Sequence, residues 1–302
     1  MTPRVSVLMT VYNAGPYLAP ALQSLLDQTF TDWELVAIEN GSSDGSAEVL
    51  QGFADRDSRI RTVELAANIG RTPALIKALS MARGEYAAVL DADDIAYQQR
   101  LEYGVRHLED NPGVVAIGSD YDLIDSAGAV IEAVHYDQRV STVESLAWSN
   151  PVAHSSAMYR RTAAIAAGGY SADYAYAQDY ALWIALAQRG DVHILPLCLA
   201  GIRQLPQSLT RRNDFQLVVY GDVIRLLKTA GPLFARTPDA ERRHAATLVE
   251  AKIQYIRILM YSGRKQQGLL QILSLIAVHP VALSRVVLQR RIRPYFSKII
   301  RA

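Results

Sequence analysis

The first hundred or so residues alternate between two hydrophobic periods, and that alternation limits the possible folds more than any other feature of the chain. Val5-Ser6-Val7-Leu8-Met9-Thr10-Val11 reads as a first strand with Tyr12 and Asn13 at its exit, and a helical pattern follows over 16–28. A second strand over 33–38 ends in the turn Glu39-Asn40-Gly41-Ser42-Ser43-Asp44-Gly45-Ser46, which leads into another helix. Strands over 60–65, 86–90 and 114–118 continue the series, with helices over 72–82 and 98–109. Strands separated by helices pair in parallel, so the expected class is α/β, a Rossmann-like, largely parallel, doubly wound sheet with ligands at the carboxyl ends of its strands. After Asp120 the alternation fades, and residues 121–136, turning at Ser126-Ala127-Gly128, read as a hairpin or irregular extension.

Beyond Thr210 the pattern becomes helical, over 214–228, 239–261, 265–278 and 281–290, punctuated by Gly231-Pro232, Thr237-Pro238, Ser262-Gly263 and His279-Pro280. The expected division is therefore an α/β domain over 1–212 and a basic helical region over 213–302. A chain of 302 residues that is 50% hydrophobic is globular rather than disordered by composition. Its net charge of +1 conceals a separation: residues 251–302 carry ten Lys or Arg and no Asp or Glu, leaving 21 basic and 30 acidic groups in the remainder. Those cations alternate with Leu, Ile and Val at helical spacing, so the tail either attaches to an anionic membrane surface or packs its aliphatic residues into a bundle or dimer interface. The greasiest stretch, 269–283, is interrupted by polar residues and is too short to span a bilayer, and the start of the chain lacks the pattern of a signal peptide. The single cysteine, Cys198, sits in an apolar run and fits packing in a reducing compartment. These features suggest a cytoplasmic protein, peripheral at the inner face of the cell membrane. The basic tail has few aromatic residues and no nucleic-acid reading motif, so no nucleic-acid partner is expected.

The strand over 86–90 runs directly into Asp91-Ala92-Asp93-Asp94. Carboxylates at a strand's end can hold Mg2+ or Mn2+, which keep waters and bridge to substrate phosphates when only one or two carboxylates are supplied. The same acids would otherwise be a solvated turn, or a cap for the next helix through Asp94.

Together with Asn68-Ile69-Gly70, Ala82-Arg83-Gly84-Glu85-Tyr86, Arg100-Leu101-Glu102, His154-Ser155-Ser156, Gly168-Gly169-Tyr170 and Gln178-Asp179-Tyr180-Ala181-Leu182-Trp183, the series resembles the family 2 nucleotide-sugar glycosyltransferases, inverting enzymes of GT-A fold. The resemblance covers residues 4 to about 212. It implies transfer of a sugar from a nucleoside-diphosphate donor, a UDP-sugar first, to a hydroxyl of a glycan or lipid-linked acceptor in cell-surface polysaccharide synthesis. By the same resemblance Asp93 is the ligand of Mn2+ or Mg2+, and Asp91 contacts ribose or a metal-bound water. Asp179 is the base, Tyr12 packs on the nucleobase, Glu39 receives its edge, and Arg71 approaches base or phosphate. His154, Gln178 and Arg203 are candidates for acceptor or diphosphate contacts.

Three positions depart from the family pattern: Glu39 and Gln178 stand where Asp and Glu are usual, and Leu205 stands where many relatives have a histidine. Two other functions compete. A sugar nucleotidyltransferase would share an acidic metal site but favour a Gly-rich phosphate loop, which residues 8–16 do not supply. A degenerate glycan-binding or scaffold protein would explain the departures, but Asp91, Asp93 and Asp179 are all retained.

Overall fold

The computed structural model describes residues 2–137, 139–205, 213–234 and 237–288. The chain forms two compact units, one built from residues up to Thr142 together with Asn150–Leu205, the other from Val143–Ser149 and the residues after Leu205.

In the first unit, β1 (Val5–Val11), α1 (Leu18–Leu26), β2 (Trp33–Glu39), α2 (Ser46–Ala54), β3 (Ile60–Glu64), α3 (Arg71–Met81) and β4 (Tyr86–Val89) alternate as expected. Next come β5 (Ile95–Ala96), α4 (Arg100–Asp110), β6 (Val114–Ile124), β7 (Val130–Val134), β8 (Val140–Ser141), β9 (Met158–Arg160), α5 (Arg161–Ala166), α6 (Gln178–Ala187) and β10 (Asp191–Arg203). One sheet takes all ten strands, in the order β3-β2-β1-β4-β9-β6-β10-β5, with β7 on β6 and β8 on β10. The run β3-β2-β1-β4 is parallel throughout. β9 lies antiparallel to both β4 and β6, and β10 returns parallel to β6. The sheet is therefore mixed: the parallel sets β3-β2-β1-β4 and β6-β10 are joined through the reversed β9, and β5, β7 and β8 pair antiparallel.

The sequence of each element accounts for its place. All seven residues of β2 are buried, as are six of seven in β1 and all four of β4, the pattern of parallel strands covered on both faces. Helix α1 buries Leu18, Ala21, Leu22 and Leu25, one stripe at helical spacing. Pro16 and Tyr17, expected to begin that helix, instead belong to a separate 3-10 turn, Gly15–Tyr17, with Gly15 at φ +56°. The region 121–136 is the hairpin of β6 and β7, closed by Asp125, whose carboxylate accepts from Ala127 N and Ala129 N at 2.8 and 2.9 Å.

The amino ends of β1, β2 and β4 are tied by a buried polar knot. Ser6 Oγ donates to Glu34 Oε1 at 2.7 Å and accepts from the backbone N–H groups of Arg83 and Gly84 at 3.0 and 2.8 Å. Burial works to raise the Glu34 carboxyl, but Arg83, Ser6 and Arg61 outweigh it and hold it below the usual range.

The helical unit contains α7 (Asn213–Phe234), α8 (Pro238–Tyr261), α9 (Lys265–Val278) and α10 (Pro280–Leu288), close to the expected spans. Thr237 caps α8 by accepting from Ala240 N at 3.1 Å, and Pro238 occupies the first helical position. Val143–Ser149 joins this unit: Thr237 Oγ1 donates to Glu144 Oε1 at 2.9 Å, and the Arg243 guanidinium stacks 5.0 Å from the Trp148 ring. Nothing local in 143–149 signals that attachment. Residues 289–302, with Arg290, Arg291, Arg293, Lys298 and Arg301 of the basic tail, lie outside the described residues. No helix among the described residues is long and apolar enough to cross a membrane.

Gly84 is a position where only glycine fits, since a Cβ there would lie 2.6 Å from Ser6 N and 2.8 Å from Val5 C. Those are backbone atoms that cannot turn aside. Gly84→Ala is expected to cost about 1–3 kcal/mol, read as a lower urea midpoint with an unchanged m-value; an unchanged midpoint would contradict the close approach.

Candidate active site

β1 pairs with β2 on one side and β4 on the other, so the chain moves outward through β2 and β3 and then returns to the opposite flank of β1. That reversal opens a crevice at the carboxyl ends of the strands, where open α/β sheets bind ligands. Tyr12 follows β1, Asn40 follows β2 and Asp91 follows β4 by two residues, so three expected or adjacent site positions share this edge.

The loops there are stitched to one another. Asn13, at φ +48°, accepts from Ser43 N at 2.8 Å through Oδ1, and its own N–H donates to Ser42 Oγ at 3.1 Å. Asp44 accepts from Gly15 N at 2.8 Å and from the Ser46 hydroxyl at 2.6 Å. Ser42 and Asp44 are thus turn-building residues, as expected. Gly41, at φ +75°, lies against the Ala67–Asn68 backbone, which a Cβ would approach to 2.6 Å. Glu39 is buried, and its two oxygens accept from Gly41 N at 3.1 Å and Ser42 N at 2.8 Å. Its carboxylate therefore holds the turn shape. Tyr12, by contrast, is 49% exposed beside it and free to stack.

Asn40 carries a role the sequence did not reveal. Its side chain donates to Asn68 Oδ1 at 3.1 Å and accepts from Ile69 N at 3.0 Å, while Asn68 also accepts from Gly70 N at 2.7 Å. Gly70, at φ +92°, precedes α3, so this pair of asparagines aims the first residue of that helix, Arg71.

Arg71 reaches the end of β4. Its Nη2 donates to both Asp91 oxygens at 2.6 and 2.7 Å and lies 2.9 Å from His154 Nδ1. His154 Nδ1 also lies 3.3 Å from Asp91 Oδ1, so this ring nitrogen faces both the guanidinium donor and the carboxylate acceptor. Nε2 lies 3.2 Å from Tyr170 OH, and Tyr170 meets Tyr159 OH at 3.2 Å. Burial works to raise the Asp91 carboxyl, but the Arg71 charge and His154 overcome it and hold it well below the usual carboxylate range. Burial likewise opposes the charge on Arg71, which Asp91, Asp179 and Asp93 together sustain. Arg71 thus lies within electrostatic reach of three carboxylates from two distant segments.

Asp93 and Asp94 divide the work of the same turn. Asp94 is buried and accepts from Ser155 Oγ at 2.5 Å and Arg203 N at 2.8 Å. It does not cap the following helix, as had been one expectation: α4 begins at Arg100, and its N-cap, Gln99, makes no side-chain cap bond. Burial and the Asp93 and Asp91 charges push the Asp94 carboxyl well above its ordinary range. Asp93 is partly exposed, and burial and the Asp91 charge raise it as well. Among the described residues no side chain donates to the Asp93 carboxylate. Arg203 braces the turn from behind, giving Nε to Asp93 O at 2.7 Å and Nη1 to Asp125 O at 2.6 Å, with its guanidinium 4.9 Å from the Tyr17 ring centre. Arg100, also buried, joins Val89 O and Ala157 O at 2.6 and 2.9 Å, and burial pushes its guanidinium down to about 10.

Asp179 stands in the first turn of α6, where the helix dipole favours a carboxylate. The N-cap is Ala177, without a side-chain bond, and Asp179 has no hydrogen-bond partner among the described residues. Thr72 Oγ1 lies 2.7 Å from Tyr174 O, tying the start of α3 to the segment that feeds α6. Gly168 and Gly169, at φ +95° and +68°, end α5 and turn Tyr170 inward toward His154. Gln178 is buried, with Oε1 unpartnered, and Trp183 is fully buried against Tyr159 at 5.9 Å. The structure thus gathers Arg71, Asp91, Asp93 and Asp179 around one charge cluster, with Tyr12 and Glu39 on the same sheet edge. It places His154, Gln178 and Arg203 in the supporting layer.

Comparison with known proteins identifies the family. The model of the family "Glycosyl transferase family 2" matches residues 6–165, and the chain belongs to that family. An uncharacterized glycosyltransferase of Haemophilus influenzae is 29% identical over 217 residues, 67% of this chain and 65% of the relative. The chain therefore spans about two thirds of that relative's length. A putative teichuronic acid biosynthesis glycosyltransferase, TuaG of Bacillus subtilis, is 40% identical over 100 residues, 33% of this chain and 40% of that one. Among solved structures, the mannosyltransferase PcManGT from Pyrobaculum calidifontis, in complex with GDP-Man and Mn2+, aligns with TM-score 0.63 and 20% identity over 96% of this chain and 84% of its own. TarS 1–349 of S. aureus, in complex with UDP-GlcNAc, aligns with TM-score 0.58 and 13% identity over 84% and 82%. The fold is of the GT-A type.

The donor set fits a hard divalent cation. Asp93 offers carboxylate oxygens without a side-chain partner, and Asp91 lies two residues away. The buried Nε of Arg71 is also unpartnered and suits an anionic oxygen. Among the described residues no group of three His, Cys, Asp or Glu side chains is placed to hold a metal ion.

The Arg71–Asp91 pair makes a pH prediction. The folded Asp91 carboxyl titrates below its unfolded value of about 3.9, so its contribution is present above that pH and is lost as pH falls through the folded value. Arg71→Gln is expected to lose on the order of 1 kcal/mol at pH 7. The gap from wild type should close on acidification below about pH 4, as followed by urea unfolding. A gap that widens with acid would contradict the pairing.

Proposed function

We propose that this protein is a metal-dependent inverting glycosyltransferase that moves a sugar from a nucleoside-diphosphate donor to a hydroxyl of a glycan or lipid-linked acceptor. The observation that carries this reading is the convergence of Asp91, Asp93 and Asp179 on Arg71 at the switch point of the sheet. The neighbours crystallised with UDP-GlcNAc and with GDP-Man and Mn2+ support a nucleotide-sugar donor and a divalent ion. The likeness to TuaG, a putative teichuronic acid biosynthesis glycosyltransferase, supports a place in cell-surface polysaccharide synthesis, and the ten cations and no acid of residues 251–302 support a site of action at the cytoplasmic face of a membrane.

In this reading Tyr12 stacks on the nucleobase, and the Glu39 turn shapes the edge that receives it. A UDP-sugar is the first donor to test, although the longer Glu39, already engaged by Gly41 and Ser42, leaves room for a different base. Asp93 would hold Mn2+ or Mg2+, and Asp91 would contact ribose or a metal-bound water. That ion would supply Lewis-acid charge to the departing diphosphate oxygens. Arg71 sets positive charge beside the same oxygens and keeps Asp91 ionised. Asp179, with no described partner to compete for it, accepts the proton of the acceptor hydroxyl. As that oxygen bonds to the anomeric carbon, the bond from the carbon to the diphosphate oxygen breaks and its electron pair leaves with the nucleoside diphosphate. One displacement from the opposite face inverts the centre.

Two substitutions test the division of labour. Asp179→Asn keeps size and is expected to retain donor affinity by calorimetry while turnover falls by about 100- to 10,000-fold; turnover within about threefold of wild type would remove Asp179 from the chemistry. Asp93→Ala is expected to abolish the Mn2+-dependent part of donor binding with the fold intact by circular dichroism. Unchanged Mn2+-dependent affinity would move the metal elsewhere.

A further inference from the structure

Helix α9 presents an unusual surface. After Lys265 it carries no charged side chain through Val278. On one side Leu275 is buried and Ile272 half-buried, in a cluster with Val249 and Ile256 of α8 and Val286 of α10. On the other side Leu269, Leu270, Leu273 and Ile276 are 54%, 66%, 65% and 51% exposed. Their spacing of three and four residues aligns them along the helix, and Val281 continues the apolar exposure beyond its end. Exposed Gln271 and Ser274 flank the stripe, and a contiguous exposed apolar patch of this kind marks an interaction site.

The corner before α9 is tightly built. Gly263 turns the chain at φ +75°, and a Cβ on Gly268 would lie 2.7 Å from Met260 Sδ, so α8 and α9 pack closely where the stripe begins. Length excludes a crossing: fourteen residues rise about 21 Å, short of the roughly 30 Å hydrocarbon layer. Charge decides the occupant. Arg264 and Lys265 are exposed at the head of the stripe, and the Arg257 guanidinium stacks 5.5 Å from the ring of exposed Tyr261. These belong to the 52 residues with ten cations and no acid. Self-association through this face would bring two such basic segments together, whereas an anionic lipid surface would neutralise them.

We propose, extending the membrane-side placement in the functional reading above, that the Leu269–Ile276 face of α9 lies in the interface of an anionic bilayer with Arg264 and Lys265 at the headgroups. Aliphatic side chains enter the acyl boundary while the cations stay at its polar edge. The attachment is monotopic and independent of donor chemistry.

Flotation of the full-length protein with vesicles of phosphatidylcholine alone, or of phosphatidylcholine with phosphatidylglycerol, tests it. Wild type is expected to float with the anionic vesicles and far less with the neutral ones. Leu270→Glu with Leu273→Glu should lower the partition coefficient by at least about tenfold, and Arg264→Glu with Lys265→Glu by a similar factor. Both pairs alter exposed residues, and an unchanged thermal midpoint checks the fold. Donor binding, measured by calorimetry on the same variants, should stay at the wild-type value, so a failed functional reading and a failed membrane reading are told apart. Wild-type partition by the leucine variant overturns the proposal, as does equal binding to neutral and anionic vesicles. A wild-type dimer that ignores vesicles and becomes monomeric in the leucine variant shows the face to be a protein interface instead.

Discussion

Three carboxylates within four residues at the end of a buried strand repel one another, and the surrounding architecture answers that repulsion. Asp91 is neutralised by Arg71, Asp94 is satisfied by Ser155 and the Arg203 backbone, and Asp93 is left without a side-chain donor. The three are therefore distinct in chemistry although nearly adjacent in sequence. Burial and mutual charge raise Asp93 and Asp94, whereas Arg71 holds Asp91 down. A turn in this state is suited to a cation, because added positive charge relieves what the protein relieves only in part.

The supporting layer explains why distant segments converge. Asn40 and Asn68 aim Arg71, Thr72 ties the start of α3 to the approach of α6, and Gly168-Gly169 swings Tyr170 under His154. His154 meets Arg71 and Asp91 at one ring nitrogen and Tyr170 at the other, so the ring is held from both sides. Arg203 and Arg100 give most of their described bonds to backbone carbonyls and keep the acidic turn seated on β4, β9 and β10. The cluster depends on contacts from 16 positions apart, His154 to Tyr170, up to 110 apart, Asp93 to Arg203.

That separation marks what could be read from the chain. The parallel block was legible because β1, β2 and β4 are predominantly apolar runs bounded by turns, and α1 because its apolar residues recur at helical spacing. β9 was not, because three residues, Met158–Arg160, carry no period, and their reversed direction follows from pairing with β4 and β6. β5 and β8, two residues each, were invisible for the same reason. The acids were recognisable by motif, and Arg71 by its position after Asn68-Ile69-Gly70. The burial of His154, Gln178 and Arg203 was hidden because residue type does not disclose whether a polar side chain faces a crevice or supports it. Asp94 shows the same limit, since a cap and a buried acceptor look alike in sequence.

The central claim is that the carboxyl edge of β1, β2 and β4 binds a nucleoside diphosphate together with a divalent ion. Titration calorimetry of the wild-type protein with UDP, GDP and dTDP, each with Mn2+ and then with excess chelator, addresses it directly. The account predicts saturable heat for at least one nucleotide with Mn2+ and loss of most of that heat when the ion is removed. Absence of binding to any of the three in the presence of Mn2+, or affinity indifferent to the chelator, would contradict it.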